Sequence, residues 1–447
     1  MSQPLPSRIR GCELAVMLAL AVLVRGAALA ITWQGLAADP DTYRELATNL
    51  REHGTFGYAL PAGPIMPTAY RPPLYPLLLA AAANGRPVFL AWVALLHLLL
   101  GAVTVLLVYL AGCRWWNLTA GRLAALLITL DPILLNQAAQ LMTETLATAL
   151  AMAVWWCVVL GQQAGRGSGR RVAWTAAGLT LGLAALSRPT FLAWGGALGL
   201  ALLVAPGQGG APAEPAPSWN WRRRLQAAAL LGAATALVLM PWALRNQRQF
   251  ERFLLTTTHG GYTLWLGNNP EFYDFLRSAA WGEVWDSTEV DDLYNRIRER
   301  FAHDELAADR WAREQALDTL ANQPGMFVRA SAFRVSSLWG LIPHRLAEHE
   351  SVGRRLARHG VGAWYGLLFL FAICGLIRLR TRLLHPPWIA GLLLCLAFTA
   401  VHSIYWSNLR MRAPLMPAVC LLAAVGLASQ RIFRPQSDSP NRSVTSP

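Results

Sequence analysis

Ten long apolar runs organise the chain, near 12–33, 88–111, 120–137, 142–161, 172–187, 190–205, 225–244, 361–377, 386–406 and 413–430. A helix that crosses a bilayer needs roughly 20 apolar residues, so the pattern predicts an all-α polytopic bundle of about ten transmembrane helices. The runs divide the chain into an N-terminal bundle over 1–244, with a first polar loop at 34–87, a large polar segment over 245–360, further spans over 361–430 and a tail over 431–447. In the first loop, Asp39 to Leu50 reads as an amphipathic helix: Leu46, Ala47 and Leu50 continue one apolar side, and Asp39 stands where an N-cap would. In the large segment, Thr256 to Pro270 reads as turns and short extended pieces. Glu289 to Asn322 reads as helical, with Leu293, Ile297, Phe301, Leu306, Trp311 and Leu317 on its apolar side. Met326 to Leu341, with Arg329 and Arg334 among apolar residues, is expected to be an interfacial helix rather than a span. Residues 208–217 read as a flexible linker and 436–447 as a disordered tail.

Composition agrees with a membrane protein, since 54% of the 447 residues are hydrophobic and only 14% charged. The net charge of +14 changes the picture in one respect only. There is no lysine, and the arginines are spread among the apolar runs instead of clustering on one soluble face, which argues against nucleic acid as a partner. Three arginine groups in short loops, Arg166 with Arg170 and Arg171, Arg222 to Arg224, and Arg378 with Arg380 and Arg382, fall on one side of the predicted topology. That side is expected to be cytoplasmic, which sends 34–87 and 245–360 outward. A span at 326–341 would put the third group on the wrong side. The cysteines, mostly in or beside apolar runs, read as small buried hydrophobes. No His, Cys and carboxylate cluster has metal spacing, so no structural metal or cofactor is expected, and a loosely held divalent cation is left open.

Candidate chemistry concentrates at the outward ends of the runs. Asp39 reads from spacing alone either as a helix cap or as a base at a membrane surface. Asp41 reads as an exposed first-turn carboxylate, because side chains two apart on a helix diverge. Arg71, in Arg71-Pro72-Pro73-Leu74-Tyr75-Pro76, brings a permanent positive charge to the same loop, and Arg245 and Arg412 sit at two further outer ends. Planar guanidinium groups suit phosphate oxygens, although arginines at span ends also reach into headgroups without specific function. Asp131 and Glu144 are costly carboxylates within apolar runs, with Arg188 at a neighbouring turn as a candidate partner. Arg25, midway along the first run, needs an internal partner, and His97 reads as a satisfied core histidine.

These residues resemble the first outer loop of the GT-C membrane glycosyltransferases, specifically the glycosyltransferase 39-like group related to protein O-mannosyltransferases and lipid A aminoarabinose transferases. The resemblance rests on Asp39 four residues before Tyr43, the Leu46-Ala47 pair and the Arg71 to Pro76 motif. Weaker matches are Glu144-Thr145-Leu146, Ser187 to Thr190, and the stretch with His259, Tyr262 and Gly267-Asn268-Asn269-Pro270. Many relatives carry an acid directly after the first Asp, where this chain has Pro40. The resemblance implies a donor sugar on a polyprenyl phosphate in the outer leaflet of a cell (inner) membrane, and a lipid, glycan or protein hydroxyl as acceptor, with inversion. It also implies Asp39 as base and Arg71, Arg245 and Arg412 as the phosphate clamp. Asp41, Tyr43, Tyr75, Asp131, Glu144, Arg188, His259, Tyr262, Asn268 and Asn269 would shape the site. A lipid flippase, or a glycan polymerase or ligase using a diphosphate-linked donor, are the alternatives.

Overall fold

The computed structural model describes residues 11–59, 63–81, 90–165, 167–204, 221–278, 283–301, 304–344 and 350–428. The linker at 208–217, Arg166 and the tail lie outside them. The chain opens with α1 (Gly11–Ile31), the short α2 (Gln34–Ala37) and α3 (Tyr43–His53), then a hairpin of β1 (Gly57–Ala59) and β2 (Ile65–Pro67), and α4 (Leu74–Ala80). The strands pair antiparallel with Gly57 opposite Pro67. A helical series follows: α5 (Leu90–Trp115), α6 (Leu118–Thr129), α7 (Pro132–Ala138), α8 (Glu144–Gln163), α9 (Ser168–Ser187), α10 (Phe191–Val204) and α11 (Trp221–Phe250). The large polar segment folds as α12 (Gly260–Gly267), α13 (Pro270–Ser278), α14 (Thr288–Arg300), α15 (Glu305–Asn322) and α16 (Pro324–Leu338). The chain returns through α17 (Val352–Leu379), α18 (Trp388–Ile404) and α19 (Met416–Leu427), with a 3-10 turn at Leu409–Leu415 leading into α19.

All ten apolar runs fall on helices, but fewer than ten helices reach full span length. Six helical segments among the described residues are long and apolar enough to cross a membrane, or seven if α6 and α7, bent by 51° at their junction, form one span. The bend has a local cause: Asp131 caps α7 through Leu134 N, and Pro132 occupies the first turn. α10 and α18 are apolar but shorter, at 14 and 17 residues. At 1.5 Å per residue α18 covers about 26 Å, less than a hydrocarbon core of about 30 Å. α9 begins on Ser168-Gly169-Arg170-Arg171 and is not among the six.

α8 and the α19 segment form the centre of the bundle, with 72% and 78% of their apolar windows buried, against 17% for α1. α19 is held closely by α17, where glycines let backbones meet. A Cβ on Gly375 would stand 2.0 Å from Leu422 O, and one on Gly426 2.0 Å from Phe371 O. Polar groups inside this apolar body are met locally. Arg25 donates to Ile128 O at 3.2 Å. His97 Nδ1 faces Ala138 O at 2.8 Å, so its Nε2 accepts from Tyr75 Oη at 2.9 Å.

Three local expectations are corrected. The first-loop helix starts at Tyr43 and not at Asp39, because Thr42 adopts a left-handed backbone (φ 59°) and turns the chain into the helix. The stretch after Thr256 contains a helix, α12, because Leu264, Trp265 and Leu266 pack on Ala308, Ala312 and Ala316 of α15. Glu289 to Asn322 is two helices, broken where Asp304 caps α15. α16, over the stretch read as an interfacial helix, packs against α18 and buries Arg334 fully.

Gly375→Val forces α17 and α19 apart, since overpacking costs about 1–3 kcal/mol. Thermal unfolding in detergent should shift down by several degrees, while Gly366→Val, where nothing lies within 4 Å of the added Cβ, leaves it in place.

Candidate active site

A row of alternating charges joins four distant parts of the chain. Arg71 Nη2 lies 2.8 Å from Asp41 Oδ1, Asp41 Oδ2 lies 3.9 Å from Arg410 Nη2, Arg410 Nε lies 3.6 Å from Glu144 Oε1, and Glu144 Oε1 accepts from Arg188 Nη2 at 2.6 Å. The row runs from the first loop through the 3-10 turn before α19 to the start of α8 and the turn between α9 and α10. Three guanidinium groups against two carboxylates leave it net positive. Glu144 is 1% exposed, Arg188 13%, Asp41 17% and Arg71 19%, so these charges are held largely out of water. Burial alone would lower the Arg71 pKa, but the Asp41 carboxylate together with Tyr43, Tyr70 and Tyr58 more than offsets this and holds it above the usual arginine range.

Local geometry explains how each residue reaches the row. The left-handed Thr42 swings Asp41 off the axis of α3 toward Arg71, so Asp41 is a paired carboxylate and not the exposed first-turn acid that its spacing suggested. Glu144 opens α8, where a carboxylate also meets the positive end of the helix. Arg188 is fixed further by Thr143 Oγ1, which accepts from its Nε at 3.1 Å. Arg410 has no counterpart among the predicted clamp residues. It shares the Arg-x-Arg of the 3-10 turn with Arg412, and residues two apart on such a turn point to different sides.

Asp39 lies at the near end of the same cluster. Its Oδ2 accepts from Arg44 N at 3.0 Å and Glu45 N at 3.2 Å, capping α3 from four residues before its start. Its Oδ1 is buried without a hydrogen-bond partner, as are Arg71 Nε, Glu144 Oε2 and Arg410 Nε, whose 3.6 Å approach to Glu144 is ionic only. Tyr43 and Tyr75 stand between these groups, edge to face with centroids 5.3 Å apart, and the Arg71 guanidinium lies 5.9 Å from the Tyr43 ring. Asp39 and Glu144 are both within electrostatic reach of Tyr75.

The other predicted residues bond elsewhere. Arg245 donates to Thr68 O at 2.8 Å, Phe56 O at 3.0 Å and Asn246 Oδ1 at 3.0 Å, and lies 4.9 Å from the Trp242 ring. Arg412 is fully buried, 4.2 Å from the Tyr365 ring, and donates to Gly340 O at 2.7 Å; its Nε and Nη2 have no protein partner. Asp131 receives Tyr365 Oη at 3.2 Å and Leu134 N at 2.9 Å. Asn268 donates to Leu264 O and to Ile404 O of α18 and accepts from Tyr273 Oη at 3.0 Å and Arg334 Nη1 at 3.3 Å, while Asn269 donates to Trp265 O and accepts from Phe272 N at 2.7 Å. His259 and Tyr262 pack beside Tyr70, whose ring lies 5.2 Å from Arg71, and Tyr262 Oη donates to Asp291. Burial, with Arg71 acting in the same direction, pushes the His259 imidazole well below its usual range and keeps it neutral at pH 7. Among the described residues, no group of three or more His, Cys, Asp or Glu is placed to hold a metal ion.

A family model, dolichyl-phosphate-mannose-protein mannosyltransferase, matches residues 70–217, a span that includes Arg71, Glu144 and Arg188. No curated protein matches the chain by sequence. The oligosaccharyltransferase of Archaeoglobus fulgidus in its apo form shares the architecture, with a TM-score of 0.54 and 16% identity over 93% of this chain and 51% of that one. The chain therefore shares the fold of that oligosaccharyltransferase. A second structure, the archaeal oligosaccharyltransferase AglB from the same organism in complex with an inhibitory peptide and a dolichol-phosphate, is similar at a TM-score of 0.53 and 15% identity, over 92% and 50% of the two chains. ArnT from Cupriavidus metallidurans bound to undecaprenyl phosphate gives 0.41 and 16% identity, over 92% and 77%. The chain is a multi-pass membrane protein and spans about half the length of the oligosaccharyltransferase structures it matches.

The charges of the row differ in what they hold. Arg188→Ala strands the buried Glu144 carboxylate and should cost about 3–5 kcal/mol, read as a large fall in thermal stability in detergent. Arg410→Ala removes a more exposed, longer contact and should cost less than about 1 kcal/mol.

Proposed function

We propose that this protein is a membrane glycosyltransferase that moves a sugar from a polyprenyl phosphate to a hydroxyl group of a lipid, glycan or protein. The observation that carries the reading is the row from Arg71 to Arg188, with the unpartnered Asp39 Oδ1 beside it. Partly buried guanidinium groups with free N–H groups suit an anion of fixed geometry, and phosphate is such an anion. The mannosyltransferase family match and the dolichol-phosphate bound to AglB supply the chemical class by analogy.

In this scheme the acceptor oxygen attacks the anomeric carbon while its proton passes to Asp39 Oδ1. The bond between the anomeric carbon and the phosphate oxygen breaks, and its electron pair leaves with the lipid phosphate. Arg71 and Arg410 take up the growing charge on that oxygen. One displacement inverts the anomeric centre. Asp41 has both carboxylate oxygens facing guanidinium groups, and its role in the scheme is to orient Arg71 and Arg410. Arg245 supports the clamp by holding the hairpin backbone.

An apolar groove of about 330 Å³ between α8, α17, α18 and α19, lined by Trp155, Trp339, Phe369, Trp388 and Leu422 among others, suits the lipid tail. Arg412 lies 5.1 Å from the ring of Phe369, one of the residues that line this groove. The scheme uses no cofactor. The positive-inside rule, with the arginine-rich loops cytoplasmic, supports an extracytoplasmic site for this chemistry at an inner membrane.

Vesicles carrying the protein and a radiolabelled polyprenyl-phosphate sugar test the scheme. Asp39→Asn should lower transfer by about 10²-fold or more with donor binding kept, as for loss of a general base, and Asp41→Asn should raise donor KM about tenfold with kcat largely kept. Full transfer by Asp39→Asn together with lost kcat in Asp41→Asn would move the base to Asp41. Lipid movement between leaflets without transfer would reject the enzyme.

A further inference from the structure

The two residues that lead into Tyr70 and Arg71 are held by four separate parts of the chain. Thr68 N donates to Phe56 O at 2.9 Å, and Thr68 O accepts from Arg245 Nη1 at 2.8 Å. Ala69 O accepts from Thr258 N at 3.1 Å, and Ala69 N donates to Glu305 Oε1 at 2.7 Å. Every backbone group of the pair is therefore bonded outside its own segment. The Thr68 hydroxyl closes the arrangement: it donates to Glu305 Oε2 at 2.6 Å and accepts from Tyr70 N at 2.9 Å. Glu305 thus uses both carboxylate oxygens on a two-residue stretch that ends two positions before Arg71, at a sequence distance of more than two hundred residues.

The same helix holds a second piece of the site's surroundings. Asp309, one turn further along α15, accepts from Gly261 N, and a Cβ at Gly261 would stand 2.0 Å from Asp309 O. α15 therefore fixes both the approach to Arg71 and the start of α12, where His259 and Tyr262 flank Tyr70. A carboxylate on a solvated helix face has no need of this arrangement. Hydrogen bonds from neutral donors to an ionised acceptor are among the stronger ones, and here both converge on one short backbone stretch.

We propose that Glu305 is a positioning residue for the donor-phosphate arginine: its carboxylate fixes the Thr68-Ala69 backbone and thereby the place from which Arg71 reaches the lipid phosphate. The inference rests on the glycosyltransferase reading for its ligand, but its structural half does not. Glu305 touches neither lipid nor sugar, and its effect passes through Arg71. A polyprenyl phosphate without sugar is therefore a sufficient probe.

The test measures binding of undecaprenyl phosphate to the full chain in detergent, with hydrogen exchange over residues 65–73 read in parallel. Glu305→Ala should raise Kd about tenfold, in line with loss of charge-assisted bonds that position a ligand group. Glu305→Gln, which keeps an acceptor for Ala69 N, should recover most of that loss. In an Arg71→Ala background, Glu305→Ala should change Kd by less than twofold, because nothing remains to be positioned. Exchange over 65–73 should quicken in Glu305→Ala and stay unchanged in α17. An unchanged Kd in Glu305→Ala overturns the inference, and so does a tenfold effect that persists without Arg71. A wild-type protein that fails to bind the probe, with exchange over 65–73 still quickened by Glu305→Ala, would remove the proposed function and leave the Glu305 clasp standing.

Discussion

Charges taken out of water must find partners, and in this protein that requirement joins the bundle at one face. Asp41, Arg71, Glu144, Arg188 and Arg410 come from four parts of the chain, and each buried charge is met by a neighbour of opposite sign. Removing one partner of a buried pair is costly, while the pair itself adds little net stability. The row is therefore better understood as a device that fixes relative positions than as a source of stability. Its excess of guanidinium groups, some with unpartnered N–H groups, is what gives the face a chemical use.

The scaffold beneath it is arranged to keep that face in register. α8 and α19 form the buried centre, and they bring Glu144 and the turn with Arg410 to the same end. The close approach of α17 to α19 at Gly375 and Gly426 leaves little freedom for that turn to slide. On the polar side, α15 ties the first loop to the large segment, so Arg71 is anchored by residues that follow it by more than two hundred positions. The loop that carries the chemistry is short and irregular, and its order is borrowed from helices on both sides.

Much of this was legible in the sequence, and the parts that were not share a physical cause. Apolar runs report helices well because burial in lipid demands them, yet run length does not report the bend that Asp131-Pro132 puts into a helix or the early end of α18. Glu144 and Arg188 stood out because a carboxylate in an apolar run needs a partner. Asp41 did not, because its direction depends on the left-handed backbone of Thr42, which periodicity does not reveal. Arg410 and Arg412 are two residues apart, and only the 3-10 turn decides that one meets Glu144 while the other stacks on Tyr365. α12 was hidden because its helix depends on packing against α15. Glu305 sits in a helix rich in charges, where one acid looks like any other until the backbone of Thr68 and Ala69 is brought against it.

The most direct measurement is a cryo-EM structure of the protein with a polyprenyl phosphate bound. The account predicts the phosphate within hydrogen-bond reach of Arg71 or Arg410, with Asp39 facing the reacting side and the lipid tail in the groove between α17 and α18. A phosphate bound at a different face, with the row from Arg71 to Arg188 intact and untouched, would contradict it.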